Sequence, residues 1–241
     1  MCARYGVIWN ATTLMQVFGI DADGSTPLSE DWSPDYNIAP TDPAPVVFVD
    51  DDGRRQLDVF RWGLVPFWSP DTKGAARMIN ARSDTVATKP AFKESFAKRR
   101  LLVPATGWYE WRPAPEAKKG DKPQPFWMHD PAGRPLAFAG LWAKWKDKTT
   151  NETRRTFSIL TTDASPTTAA VHDRMPVILT PAGQDLWLSN TTDQLSLLEL
   201  LHPFTGALAL HPVAKTVNSV RADGPELIIP ITPEPVDKLL I

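Results

Sequence analysis

Twenty-four of the 241 residues are proline, about twice the usual share, and no other feature constrains the architecture as much. Proline lacks an amide hydrogen and holds φ fixed, so it is excluded from helix interiors and central strands. The chain must be assembled from short elements joined by shaped loops. Residues 44–49 (APVVFV) and 56–62 (QLDVFRW) flank the turn-forming run Asp50–Gly53 and read as a hairpin. Further strands are expected at 101–104 (LLVP), 107–112 (GWYEWR), 125–129 (PFWMH), 136–145 (LAFAGLWAKW), 153–162 (TRRTFSILTT) and 177–180 (VILT), all short, aromatic or β-branched and bounded by turn formers. Helix signals are weaker: 11–19, 90–99, 181–189 with proline in the first turn, and 191–201. This pattern predicts an α+β fold, a single compact β-rich domain over 1–241. Its curved or barrel-like sheet should be mostly antiparallel, with peripheral helices. The Pro/Lys stretch 112–125 reads as a long exposed hairpin loop inside that domain.

The composition, 42% hydrophobic and 22% charged, is that of a packed globular core. Cys2 is the lone cysteine, which excludes an internal disulfide and a cysteine-only metal cage. No charged stretch followed by an apolar run opens the chain and no segment reaches membrane-spanning length, so a cytoplasmic location is expected. His129, His202 and His211 have no ligand spacing with one another, and neither a metal nor a cofactor is expected. From Lys73 to Arg155 there are 18 Lys and Arg against 8 Asp and Glu, whereas the rest holds 8 against 20. Solvated loop charges explain this middle segment better than the alternative, a basic face for a polyanion formed by its Lys and Arg residues from Lys93 to Arg155, Arg100, Lys118 and Lys119 among them. Ten tryptophans serve mainly a core, with a few available as a stacking surface.

Cys2 carries the sharpest chemical signal. Trimming of Met1 would leave an amine and a thiol on one residue, a pair that no internal residue offers. Their ordinary pKa values, about 8 and 8.5, leave a usable fraction of each nucleophilic, and modest burial or a nearby cation is expected to raise it. The amine can condense with an aldehyde to an imine, and the thiol can close on the imine carbon as a thiazolidine. A buried cysteine without chemistry is the alternative. Glu110, among Trp108, Tyr109 and Trp111, is expected to feel desolvation and to exchange protons near neutrality, unless it simply faces outward on an alternating strand. His172 is a loop histidine, a hydrogen-bonding group or a proton shuttle.

Six ordered blocks, MCARYG (1–6), YNIAPT (36–41), RWGLVPFW (61–68), INARSDT (79–85), GWYEW (107–111) and HDRMPVIL (172–179), closely resemble the SOS-response-associated peptidase family, whose members crosslink themselves to abasic sites in single-stranded DNA. The match runs from residue 1 to about 180, and residues 181–241 would complete the same domain. The resemblance implies that Cys2, freed of Met1, is the crosslinking nucleophile. It implies further that Asn80 positions the terminal residue and the sugar, and that Glu110 and His172 move protons during ring opening and imine formation. It assigns Arg4, Arg82 and Arg174 to phosphate or sugar contacts, and Trp62, Pro66 and Trp68 to a wedge under the bases. Abasic single-stranded DNA would be the partner, bound by a monomer that is nucleoid-associated when on DNA. Weak abasic-site lyase activity would accompany crosslinking, and the family name adds a peptidase activity. The chain departs from the family in carrying Ala3 where a glycine is usual; a positive φ there would cost about 1 kcal/mol, and a tight approach of the lesion would be crowded by the methyl. A different enzyme class, the N-terminal-nucleophile amidohydrolase or glutamine amidotransferase, would use the same terminal cysteine with the amine as base. A module that binds single strands without covalent chemistry is a third reading.

Overall fold

Asp50 closes the first hairpin through its carboxylate, which accepts from the backbone amides of Asp52 and Arg54, while Gly53 takes the φ of 82° that the turn requires. In the computed structural model, residues 2–20, 32–113, 120 and 122–232 are described. Part of the expected 112–125 loop, with Lys118 and Lys119, lies outside them, as does Met1. In chain order the elements are β1 (Tyr5–Val7), α1 (Ala11–Val17), β2 (Asp35–Ile38), β3 (Pro43–Val49), β4 (Arg55–Trp62), β5 (Asn80–Arg82) and α2 (Lys93–Lys98). These are followed by β6 (Arg100–Ala105), β7 (Gly107–Arg112), β8 (Gln124–His129), β9 (Leu136–Lys146) and β10 (Thr153–Asp163). The remainder are β11 (Arg174–Pro176), α3 (Pro181–Leu188), α4 (Gln194–Glu199) and β12 (Ala209–Pro212). No helix among the described residues is long and apolar enough to cross a membrane.

Five strands close into a ring. β3 pairs with β4 on one side and β6 on the other, β6 with β9, and β9 with β10, all antiparallel. The ring shuts where β10 meets β4 in parallel, through Thr156↔Arg61 and Phe157↔Trp62. Because side chains alternate along a strand, the register places Phe48, Gln56, Leu101, Gly140, Trp142 and Phe157 on one face, the interior. Trp62 stacks on Phe157 there, with ring centroids 6.4 Å apart and planes 12° apart. A Cβ at Gly140 would stand 2.4 Å from Leu101 Cδ1, so the glycine leaves that leucine its place in the interior. β5 and β11 extend the sheet along the far half of β10.

A second, five-stranded sheet runs in the order β12-β8-β7-β1-β2. Its Tyr5 and Trp108 close one end of the barrel, meeting the interior Phe138 edge-on at 6.3 and 5.8 Å, and Tyr5 also meets Trp62 at 5.1 Å. Gly107 permits the approach of β8: a Cβ would lie 2.4 Å from Met128 O and 2.6 Å from the Trp127 ring. Asn37 Nδ2 donates to Ser219 O and Ala222 O, and Trp111 Nε1 to Asn218 Oδ1, so the segment after β12 clasps β1, β2 and β7. Helix α3 begins as its sequence predicts, with the Thr180 side chain accepting from Gly183 N and proline in the first turn.

The β-rich, barrel-like α+β architecture is as expected, and most of the predicted strands lie within a residue or two of the observed ones. One is corrected. Residues 177–180 form no strand: β11 pairs with β10, then the chain crosses to β9, where Ile178 makes a single bridge to Phe138. A segment that changes partner after Pro176 cannot build a ladder. Arg100, read as a solvated loop charge or else part of a basic face, is neither: it is buried and donates to the carbonyls of Phe96, Ala97, Trp187 and Ser189, tying α2 to α3.

Candidate active site

β1 delivers the start of the chain. It lies between β2 and β7, with Tyr5 opposite Trp108, and the amide of Tyr109 donates to Arg4 O. Cys2 is 0% exposed. Asn80, on the short β5 held to β10 through its pairing with Ile159, donates from Nδ2 to Cys2 O at 2.6 Å. Asn80 Oδ1 is buried with no hydrogen-bond partner among the described residues. Glu110 is 2% exposed on β7. Burial raises its carboxyl from 4.5 to about 7, with the positive charge of the amino terminus acting in the opposite direction. At neutral pH this group therefore divides between acid and base.

Burial, and then the charge of Glu110, pushes the Cys2 thiol well above its ordinary value. This corrects the expectation that modest burial would favour the thiolate. Burial favours the neutral thiol and so suppresses the thiolate. The thiol instead sits 3.9 Å from Arg4 O as a weak donor. Ala3 is not among the residues at positive φ, so the backbone-strain reading of that substitution falls away.

His172 follows the 3-10 turn Thr168–Ala170 and is half-buried. Its Nδ1 accepts from Arg174 N at 3.0 Å and lies 2.7 Å from Asp173 Oδ1. One nitrogen cannot accept from the amide and donate to the carboxylate together. Burial, followed by the positive chain terminus, lowers the imidazole pKa, which favours the neutral ring with Nδ1 as acceptor. Cys2, Asn80 and Glu110 are thus in one place, and His172 is within electrostatic reach of the amino terminus.

The residues assigned to DNA divide. Trp62 is 0% exposed, and its Nε1 donates to Ile79 O at 2.8 Å; it belongs to the barrel interior and offers no face to a base. Pro66 is buried. Trp68 is 53% exposed, and Phe67, absent from the sequence-based set, is 57% exposed. Phe67 and Trp68 form an exposed aromatic pair, legible as the two aromatics that follow the only proline of the motif. Arg4 is buried, with its guanidinium bonded to Asn37 Oδ1 and Asn218 O; it anchors the terminal strand and is not displayed to a phosphate. Arg174 is likewise an internal strut, bonded to Asp163 Oδ1 at 2.9 Å and Thr161 O at 2.6 Å. Arg82 is exposed but forked onto Asp84, with Nη2 to Oδ2 at 2.6 Å. His129 and His211, judged unrelated by spacing, are brought to 5.3 Å between ring centroids by the β8–β12 pairing. No group of three or more metal-ligating side chains forms among the described residues.

A closed five-stranded barrel, capped by a second sheet that seats a cysteine beside an amide and a buried carboxyl, defines the SOS response associated peptidase (SRAP) class of domain. A model of that family matches residues 1–220, and the chain belongs to it. It is 34% identical over 231 residues to the abasic site processing protein YoqW of Bacillus subtilis (strain 168), covering 95% of this chain and 99% of that protein. It is 31% identical to the abasic site processing protein HMCES of Xenopus tropicalis, over 84% of this chain and 68% of that protein. A crystal structure of a protein from Bacteroides thetaiotaomicron superposes with a TM-score of 0.81 at 26% identity, covering 96% of this chain and all of that one.

Proposed function

We propose that this protein captures abasic sites in single-stranded DNA by forming a covalent bond through Cys2 once Met1 has been removed. The observation that carries the reading is the apposition of Cys2 with Asn80 and a carboxyl poised at about 7. The open-chain sugar presents an aldehyde at C1′. The Cys2 amine attacks it, and Glu110 in its acid form supplies a proton to the departing oxygen, so that a C–N bond forms and water leaves. The thiol then adds to the imine carbon, its proton passing to nitrogen, and closes a thiazolidine. Asn80 holds the Cys2 carbonyl and so fixes the direction of both nucleophiles, which is where positioning contributes to rate. His172, neutral at physiological pH, relays protons beside them. Loss of the C2′ proton from the imine, with departure of the 3′ phosphate, is the competing lyase outcome. Phe67 and Trp68 splay flanking bases, which accounts for a single-strand preference at about 1 to 3 kcal/mol per stacked base.

Incubation with an abasic oligonucleotide, followed by intact mass measurement, tests the proposal. The expected product is the chain without Met1 plus the oligonucleotide less one water. A reactive protein that retains Met1 would overturn it, as would release of glutamate from glutamine with no adduct, which is the amidotransferase outcome.

A further inference from the structure

Tyr5 and Trp108 close one end of the barrel, and the other end is open. Beyond the Trp142↔Phe157 pair the interior face continues to Lys144↔Arg155, and there a cavity of about 430 Å³ is lined by Phe48 and Trp142. Its lining includes Arg99, Lys144 and Arg155, together with Asp50, Asp51 and Arg54. The Arg99 guanidinium lies 6.0 Å from the centre of the Trp142 ring, and that of Arg155 lies 5.8 Å from Phe48. Arg155 reaches Asp58 at 2.7 Å and Arg99 reaches Glu94 at 3.0 Å, each through Nη1. A guanidinium carries five donors, so these contacts leave capacity on both forks. Lys144 is exposed and makes no ion pair among the described residues. Arg99 also borders the shallow cleft beneath Phe67 and Trp68, so one side chain belongs to both surfaces. Three cations of the basic middle segment, unused by the site around Cys2, converge here.

We propose that the open barrel mouth is a second contact site for the DNA strand that flanks the captured lesion. A base stacks on the half-buried Trp142, and its neighbouring phosphates meet Arg99, Lys144 and Arg155. Aromatic faces combined with cations bind single strands without regard to sequence, and barrel mouths are common ligand sites. The occupant is a strand continuous with the one on Phe67 and Trp68, since Arg99 joins the two surfaces. The inference rests on DNA being the substrate.

The test uses the Cys2→Ala protein and undamaged oligo-dT, so that adduct formation plays no part. Fluorescence anisotropy is measured against salt with strands of about 6 and about 20 nucleotides, which bracket usual site sizes. Lys144→Ala is expected to reduce the slope of log affinity against log salt by about 0.7 on the long strand only. Trp142→Leu, checked by circular dichroism for native packing, should weaken the long strand at least about fivefold and leave the short one unchanged. Equal affinities of Lys144→Ala and its parent on the long strand would overturn the proposal. So would equal losses on both lengths, or Lys144-dependent binding of free dTMP as tight as that of the strand. Failure of the parent to bind any strand would instead count against DNA as the substrate.

Discussion

Glu110→Gln keeps the size of the side chain and removes its ionisation. In the folded protein burial moves this carboxyl from 4.5 to about 7, so between those values the native state holds a proton that the unfolded chain has released. Stability must then fall as pH rises through that window and level off above it. At about 1.4 kcal/mol per pH unit, the charged carboxyl costs about 3 kcal/mol of folding free energy at pH 8 and only about 0.4 kcal/mol at pH 4.5. Gln carries no such dependence. The stability of Glu110→Gln relative to the parent should accordingly rise by about 3 kcal/mol from pH 4.5 to 8. Urea titrations followed by tryptophan fluorescence at several pH values measure the difference directly. Should that difference stay flat, the carboxyl is not held near 7 and the acid–base assignment loses its basis. The same variant should form adducts more slowly at every pH, because an amide cannot deliver the proton.

Arg100→Met strands four carbonyls on α2, α3 and their connections, and a loss of about 3 to 5 kcal/mol is expected in a denaturant titration. Gly107→Ala forces a methyl against Met128 O and the Trp127 ring, which should destabilise by about 1 to 3 kcal/mol or more and lower adduct yield by displacing β7, as thermal unfolding and a denaturing gel would report. Asp84→Asn releases Arg82 and should tighten binding of single-stranded oligonucleotides in anisotropy, an effect that fades at high salt. Trp68→Ala should weaken that binding with little change in stability, whereas Trp62→Ala should cost about 3 to 5 kcal/mol of stability, seen in the same two assays.

Strands of six or more residues that are rich in aromatic and apolar side chains and bounded by Gly, Pro or Asp, such as β7 and β9, could be read directly. β1, β2, β5 and β12 could not, because three or four residues carry no period and gain their conformation from partners distant in sequence. Closure of the barrel was hidden for the same reason: it depends on two parallel pairs between β4 and β10. Of the site, the convergence of Cys2, Asn80 and Glu110 was visible only through the family blocks, since no spacing links a residue ahead of β1 to one on β5 and another on β7. The contrast between Trp62 and Trp68 was within reach. Trp62 continues the alternation of Phe60 along β4 and must face inward, whereas Trp68 lies past the end of the strand. The burial of Arg100 could not be read, because charge in a sequence does not distinguish a displayed guanidinium from one spent on buried carbonyls.

The narrow parallel seam also sets an order of events. Its flanking contact, Val65 N to Thr156 Oγ1, joins residues 91 positions apart, and contacts of such separation form late and slowly. Asn80 hangs from β10 just past that seam. A nascent or partly denatured chain, with the ring still open, therefore has no amide in place to hold the Cys2 carbonyl, and the site is assembled only once folding has finished.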